Sequence, residues 1–206
     1  MSGGGAVLAG TKRKRESSKV ERRPSKSKPR PTSSEEGYDP QTEITRLESQ
    51  IVESRKHYNN IATLLQLAKD FAHEYETSIL AAVALCRVFT RLLSSGDMVK
   101  SKGMAQSEGL VVSWLKERYR EYVSALLGQF IRSEHAPKQS VGLTLLIRLV
   151  KEESKQRDYN WKKSPLSKTV ETLLLLPDGD ATREEFAEKY FNIFDDIRFY
   201  TFQIIK

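Results

Sequence analysis

Residues Ser107–Arg132 read SEGLVVSWLKERYREYVSALLGQFIR. Val111, Leu115, Tyr119 (or Arg118 beside it), Tyr122, Leu126 and Phe130 recur every three or four residues. That is the spacing of one face of an α-helix at 3.6 residues per turn. Trp114, Val123, Leu127 and Ile131 widen the face, while Lys116, Glu117, Arg120 and Glu121 lie opposite. So broad an apolar stripe needs cover on more than one side. The stretch therefore predicts a core helix, covered by flanking segments that are themselves helical by pattern.

Downstream, His135-Ala136-Pro137 breaks the chain, and Pro137 suits the first position of a new helix. Val141, Leu145, Leu146, Leu149 and Val150 give that helix its apolar side. Residues 153–163 form a polar loop that sets Tyr159 and Trp161 among Lys and Arg. Ser164-Pro165 reads as an N-cap followed by a first-turn proline, opening a helix over 165–176 with Leu166, Val170, Leu173, Leu174 and Leu176 inside. Asp178-Gly179-Asp180 is a turn, too short for a calcium loop. Thr182-x-x-Glu185 reads as a capping box for a last helix over 182–203, buried through Phe186, Tyr190, Ile193 (or Phe194) and Ile197. Phe199, Phe202 and Ile205 are left on an open face, and the chain is read as truncated at its C-terminus.

Upstream, residues 75–94 carry Ile79, Leu80, Val83, Leu85, Cys86, Val88, Phe89, Leu92 and Leu93 at helical spacing, with Gly96 as the cap. The loop 97–106 holds Lys100, Lys102 and Gly103 but lacks phosphate-loop spacing. Ile44, Leu47, Ile51, Tyr58, Ile61 and Leu65 fall at a and d positions of a helix opened by Gln41 or Thr42, interrupted at Ser54 and weakened at Asn59-Asn60. A long helix packed along its neighbours is the favoured reading; a coiled-coil seam is the alternative. No strand pattern stands out. The fold class is all-α, a HEAT-like α-solenoid of about three antiparallel pairs: 41–70 with 75–94, 107–133 with 137–152, and 165–176 with 182–203.

The 206 residues suit one domain plus a tail, at 38% hydrophobic and 30% charged. Of 34 Lys and Arg and 27 Asp and Glu, residues 1–34 take ten and two, which leaves 24 against 25 for the rest. Most of the basic character thus belongs to residues 1–40, a Gly, Ser, Pro and Lys/Arg-rich stretch read as a disordered tail. Lys12-Arg13-Lys14-Arg15, Arg22-Arg23 and Lys26, Lys28 and Arg30 read as a nuclear import signal gripped by a carrier, as an RNA contact, or both. Phosphorylation of Ser17, Ser18, Ser25, Ser27, Ser33 or Ser34 would weaken either role. No run of about 18 uncharged apolar residues predicts a membrane span.

No catalytic constellation emerges, and the expectation is a non-enzymatic protein without cofactor, metal or small-molecule ligand. Cys86 is alone and sits in an apolar run. His73-Glu74 begins like a zinc-protease motif, but position 77 is Thr; His57 and His135 have no partner motif. Asp195-Asp196 and Glu152-Glu153 are adjacent on helices and point about 100° apart, so neither is a facing acid pair.

Trp114, Arg118-Tyr119, Leu126-Leu127, Leu143-x-Leu145-Leu146 with Leu149-Val150 and Glu152, then Trp161, and Asp195-Asp196-x-Arg198-x-Tyr200-Thr201 resemble the N-terminal helical region of the nucleolar-complex-protein-four branch of the CCAAT-binding-factor/nucleolar-complex family. His57-Tyr58-Asn59-Asn60-Ile61 is similar to its opening helix. The resemblance runs over roughly residues 45–206. It implies a ribosome-biogenesis factor of the nucleus and nucleolus, acting in the small-subunit processome toward 18S rRNA as a scaffold for a nucleolar protein partner. The family's C-terminal domain, where the main partner contact is expected, is not in this chain. Beside the scaffold stand two other readings: an RNA-binding module using Lys100, Lys102, Trp161, Lys162 and Lys163, and a coiled-coil adaptor built on residues 41–70.

Overall fold

The structure, a computed structural model, describes residues 39–70, 75–157 and 159–206. Helix α1 is Pro40–Glu53. Asp39 caps it, its carboxylate accepting the N–H groups of Gln41 and Thr42 at 3.2 and 3.1 Å. The cap therefore lies upstream of the expected Gln41 or Thr42, and Pro40 is the first helical residue rather than the last of a tail. The expected long helix does not form. Ser54 is extended (φ −153°, ψ 140°), and its Oγ accepts the Lys56 N–H at 3.3 Å. A Ser side chain that bonds nearby backbone offers the chain a way out of the helix. After a tight turn over Arg55–His57 the chain resumes as α2, Asn60–Lys69. Ile44, Leu47, Ile51, Tyr58, Ile61 and Leu65 are all buried in the core of the same chain, so the a/d seam is already filled.

Helices α3 (Tyr75–Ser94), α4 (Gln106–Ala125), α5 (Ala136–Glu153), α6 (Pro165–Leu174), α7 (Ala181–Phe186) and α8 (Asp195–Ile205) complete the eight α-helices among the described residues. Their pairing follows from cross-contacts. Glu48 of α1 receives Arg87 of α3, and Arg55 just past α1 meets Asp97 just past α3, so α1 and α3 run parallel. The Tyr75 and His135 rings stack at 5.2 Å where α3 and α5 begin. Gln156 Nε2 donates to the Leu93 carbonyl at 2.9 Å where both end. Ser140 donates to Glu185 at 2.7 Å, and four residues further along α5 Thr144 receives the Tyr190 hydroxyl at 3.5 Å, so α7 and the turn after it run alongside α5 in the same direction. Helices α1, α3, α5 and α7 thus form one parallel layer. The even helices run back: α2 packs on α4, and α6 packs on α8. This is an all-α solenoid of antiparallel helix pairs. The expected pairs pack as read: α1 and α2 lie on α3, the end of α4 lies on α5, and α6 lies on α7 and α8. The break at Ser54 adds a helix to the first pair.

Two helices end in wide turns. Over Leu126–Phe130 and Ala187–Phe191 the bonds run five residues back, as in Ile131 N–H to Leu126 O (3.0 Å) and Asn192 N–H to Ala187 O (2.9 Å). The first turns Phe130 fully inward. The second ends the expected 182–203 helix early: Phe194 is extended and starts α8, leaving Ile193 and Phe194 exposed rather than buried. Val111 is likewise exposed, and Val112 takes its place in the core; Leu174 also faces outward.

Helix α3 has the length and hydropathy of a membrane span, yet it is the inner helix of the fold, packed on α1, α2 and α5. Its Ala81, Ala82 and Ala84 are fully buried and let neighbours approach. Phe89 meets Tyr119 edge-on at 5.3 Å and stacks on Tyr122 at 5.4 Å; the Tyr122 hydroxyl donates to Ala82 O at 2.6 Å. Gly96 ends α3 at φ +77°, a conformation that suits glycine. Ser164 does stand at the N-cap of α6, but its hydroxyl donates to Trp161 O at 2.7 Å and caps nothing. Helix α7 is capped by Asp180, which accepts the Thr182 N–H at 2.9 Å; Thr182 is inside the helix, so the expected capping box is absent.

Candidate interaction surfaces

Because α1, α3 and α5 are parallel, the three segments that follow them gather at one end of the array. The first carries Arg55 and Lys56, the second Lys100 and Lys102, and the third Lys155, Arg157, Lys162 and Lys163; all are exposed. Pairing consumes most of the acids among them. Asp97 is held by Arg55 and by Ser95. Glu152 is held by Lys155 at 2.7 Å. Glu153 turns inward toward Tyr119, and burial raises its carboxyl above the usual range. Lys56, Lys100, Lys102, Arg157, Lys162 and Lys163 engage no carboxylate among the described residues.

The residues singled out in the sequence thus fall on two of these loops, tied together by the Gln156–Leu93 bond. Trp161 is not a free platform. It is half-buried, stacked on Tyr200 of α8 at 5.4 Å, with Lys162 Nζ 5.4 Å from its ring. Arg55 and Lys56 join this end because the helix breaks at Ser54; a continuous helix over 41–70 would place both mid-helix, and the interruption at Ser54 is their signal in the sequence. The tail cations Lys12 to Arg30 lie outside the described residues. Beside Trp161 opens a cleft of about 220 Å³, lined by Ile147, Val150, Lys151, Ser154, Tyr159, Leu166, Phe194, Asp196, Ile197 and Tyr200.

A second surface lies on α8. Phe199, Phe202 and Ile205 are each more than half exposed, as the sequence pattern anticipated, and Ile193 joins them. Between α6, α7 and α8 lies a cleft of about 210 Å³, walled by Val170, Leu173, Phe186, Phe191 and Ile205. Two polar atoms at its edge, Thr201 Oγ and Arg183 Nε, are buried without a hydrogen-bond partner. Buried polar atoms are usually satisfied, and these two are exceptions. Among the described residues no cluster of His, Cys, Asp and Glu is arranged to hold a metal. His57 is half-buried beside the turn after α1, and His135 is taken up by its stack on Tyr75.

Paired helices in two layers, with chemistry carried on outer faces and loop ends, define a helical-repeat protein. The chain belongs to the nucleolar complex protein 4-like family, whose model of TPR repeats matches residues 33–206. It is a family of nucleolar proteins of ribosome biogenesis, with helical repeats as its scaffold. A Schizosaccharomyces pombe protein known as uncharacterized protein C1604.06c is 28% identical over 163 residues, covering 78% of this chain and 34% of its own length. The chain thus spans about a third of that relative. No solved structure matches the chain.

Proposed function

We propose that this protein is a non-enzymatic scaffold in the nucleolus, holding nucleolar proteins of the small-subunit processome during 18S rRNA maturation. The observation that carries the reading is the apolar face of α8 and its cleft, in a chain of a nucleolar helical-repeat family. In a solenoid each hairpin covers the exposed face of the one before it. The α8 face has the shape and chemistry to receive an amphipathic helix of a partner protein. Residues 1–40 serve as the address: the Lys12–Arg15 cluster and the cations to Arg30 engage an import carrier and afterwards touch pre-rRNA.

The test is a tagged full chain, a version lacking residues 1–38, and the variant Phe199→Glu/Phe202→Glu, expressed in cells, imaged and recovered with the proteins they bind. The full chain is expected in the nucleolus with small-subunit precursors. The shortened chain is expected in the cytoplasm with its protein partners retained. The α8 variant is expected in the nucleolus without those partners. A diffuse full chain that recovers no pre-ribosomal protein refutes the reading.

A further inference from the structure

The basic end of the array has no role in a purely protein-holding scaffold. Outside the tail the chain is nearly charge-balanced, so a gathering of uncompensated cations here must be matched by acids elsewhere. The fold achieves it by ending α1, α3 and α5 together and by tying or burying the acids in between. Such a surface attracts a polyanion. An acidic peptide would need only the charge. Here the cations border an aromatic cleft with Tyr159, Phe194 and Tyr200 in its wall, and Ser154 and Asp196 supply the polar groups. Cations beside aromatic walls are the features that hold unpaired nucleotides: phosphates on Lys and Arg, a splayed base against rings, exocyclic amines on an acceptor. A base locked in a duplex cannot enter such a cleft.

We propose that this end of the array binds single-stranded RNA, laying phosphates over the Lys100–Lys102 and Lys162–Lys163 loops and seating one unstacked base in the cleft of Tyr159, Phe194 and Tyr200. Phe194 is about half exposed and forms the outer wall of that cleft. Trp161 acts indirectly: its stack on Tyr200 fixes one wall and sets Lys162 beside it. The site shares α8 with the apolar face, Phe199 meeting Tyr200 edge-on at 5.4 Å, but its ligand is RNA rather than protein, so RNA binding and protein recovery test the two readings separately.

The test uses the full chain with its tail cations replaced by Gln, so that the tail does not mask the loops. Fluorescence anisotropy is read with a labelled single-stranded RNA about a dozen nucleotides long, within the usual site size. Replacing Lys100, Lys102, Lys162 and Lys163 with Gln is expected to weaken binding at least about tenfold and to flatten the slope of log affinity against log salt by roughly 3, at about 0.7 per phosphate contact on a single strand. Phe194→Ala is expected to weaken binding about tenfold with the salt slope unchanged, since it removes stacking and no charge. Circular dichroism and melting temperature are expected to stay the same in both, because these side chains are exposed. The proposal is overturned if the tail-neutralised chain binds no RNA, if the four-Lys variant binds as before, if Phe194→Ala acts only by lowering the melting temperature, or if duplex RNA or polyglutamate competes as well as the single strand does.

Discussion

Gly142 on α5 lies against Phe130 at the end of α4 so closely that a Cβ added to it would stand 2.6 Å from the Phe130 Cβ. Phe130 is fully buried, and the wide turn over Leu126–Phe130 is what delivers it to that seam. The clash is with an atom next to the backbone, so no side-chain rotation relieves it. Helix propensity alone favours Ala over Gly by about 1 kcal/mol. Overpacking a close seam costs about 1–3 kcal/mol and here acts against that gain. Gly142→Ala is expected to lower stability by about 1 kcal/mol net, and Gly142→Val by more; urea denaturation reads both. A stabilised Gly142→Ala protein would mean that the two helices are not in this contact.

Cys86 gives a pH dependence. Burial pushes its thiol from an ordinary 9.0 up to about 11, since the thiolate loses its hydration in the core. A group whose pKa is raised on folding stabilises the fold below its unfolded pKa and loses that contribution as pH rises toward the folded value. Between pH 8 and pH 10 the loss comes to about 1 kcal/mol, the order of one pKa unit's worth. Denaturation of wild type and Cys86→Ala at both pH values checks it: the wild type is expected to fall more steeply by that margin. The same burial predicts that thiol reagents label Cys86 only when the protein unfolds.

The filled seam of α1 and α2 predicts the state of association. Leu47 and Ile51, which a coiled coil would need on its outside, are 4% and 5% exposed. The full chain is expected to sediment without a dimer assembled through residues 41–70, and Leu47→Asp to unfold the domain rather than to dissociate it. Burying an unpaired carboxylate there costs several kcal/mol. A folded Leu47→Asp monomer derived from a wild-type dimer would restore the coiled-coil reading.

Much of this fold was legible because hydrophobic period and helix punctuation agree over α3 and α5, where the expected bounds match the observed ones within a residue or two. The break at Ser54 was visible only as a weak position. Nothing in a periodic count says that one polar residue will end a helix whose apolar positions continue on either side. The wide turns at Leu126–Phe130 and Ala187–Phe191 were not legible at all. An added residue in a turn leaves no composition signal and merely rotates the residues after it, as it does Ile193. No repeat period shows in the sequence because the parallel helices α1, α3, α5 and α7 begin at Pro40, Tyr75, Ala136 and Ala181, which are 35, 61 and 45 residues apart. The basic end needed the fold itself, since it sums loops far apart in sequence. Trp161 shows the converse, because its loop composition suggested an open platform and only tertiary packing sets it on Tyr200.

The start of α7 separates two accounts of one sequence. In a Thr182-x-x-Glu185 capping box, Thr182 Oγ would accept a backbone N–H, and losing it would cost about 1 kcal/mol. In the structure Asp180 does the capping at 2.9 Å, while Thr182 Oγ is buried without a partner. Glu185 is engaged with Ser140 and Lys189 instead. Asp180→Ala is therefore expected to cost about 1 kcal/mol, from the lost cap and the lost carboxylate at a helix N-terminus. Thr182→Val keeps the shape and removes an unsatisfied hydroxyl, so it is expected to be neutral or mildly stabilising. Thermal melting of the two variants decides between the accounts. If Thr182→Val is the more damaging, α7 starts two residues later than it does here, and the seam between α5 and α7 must be redrawn with it.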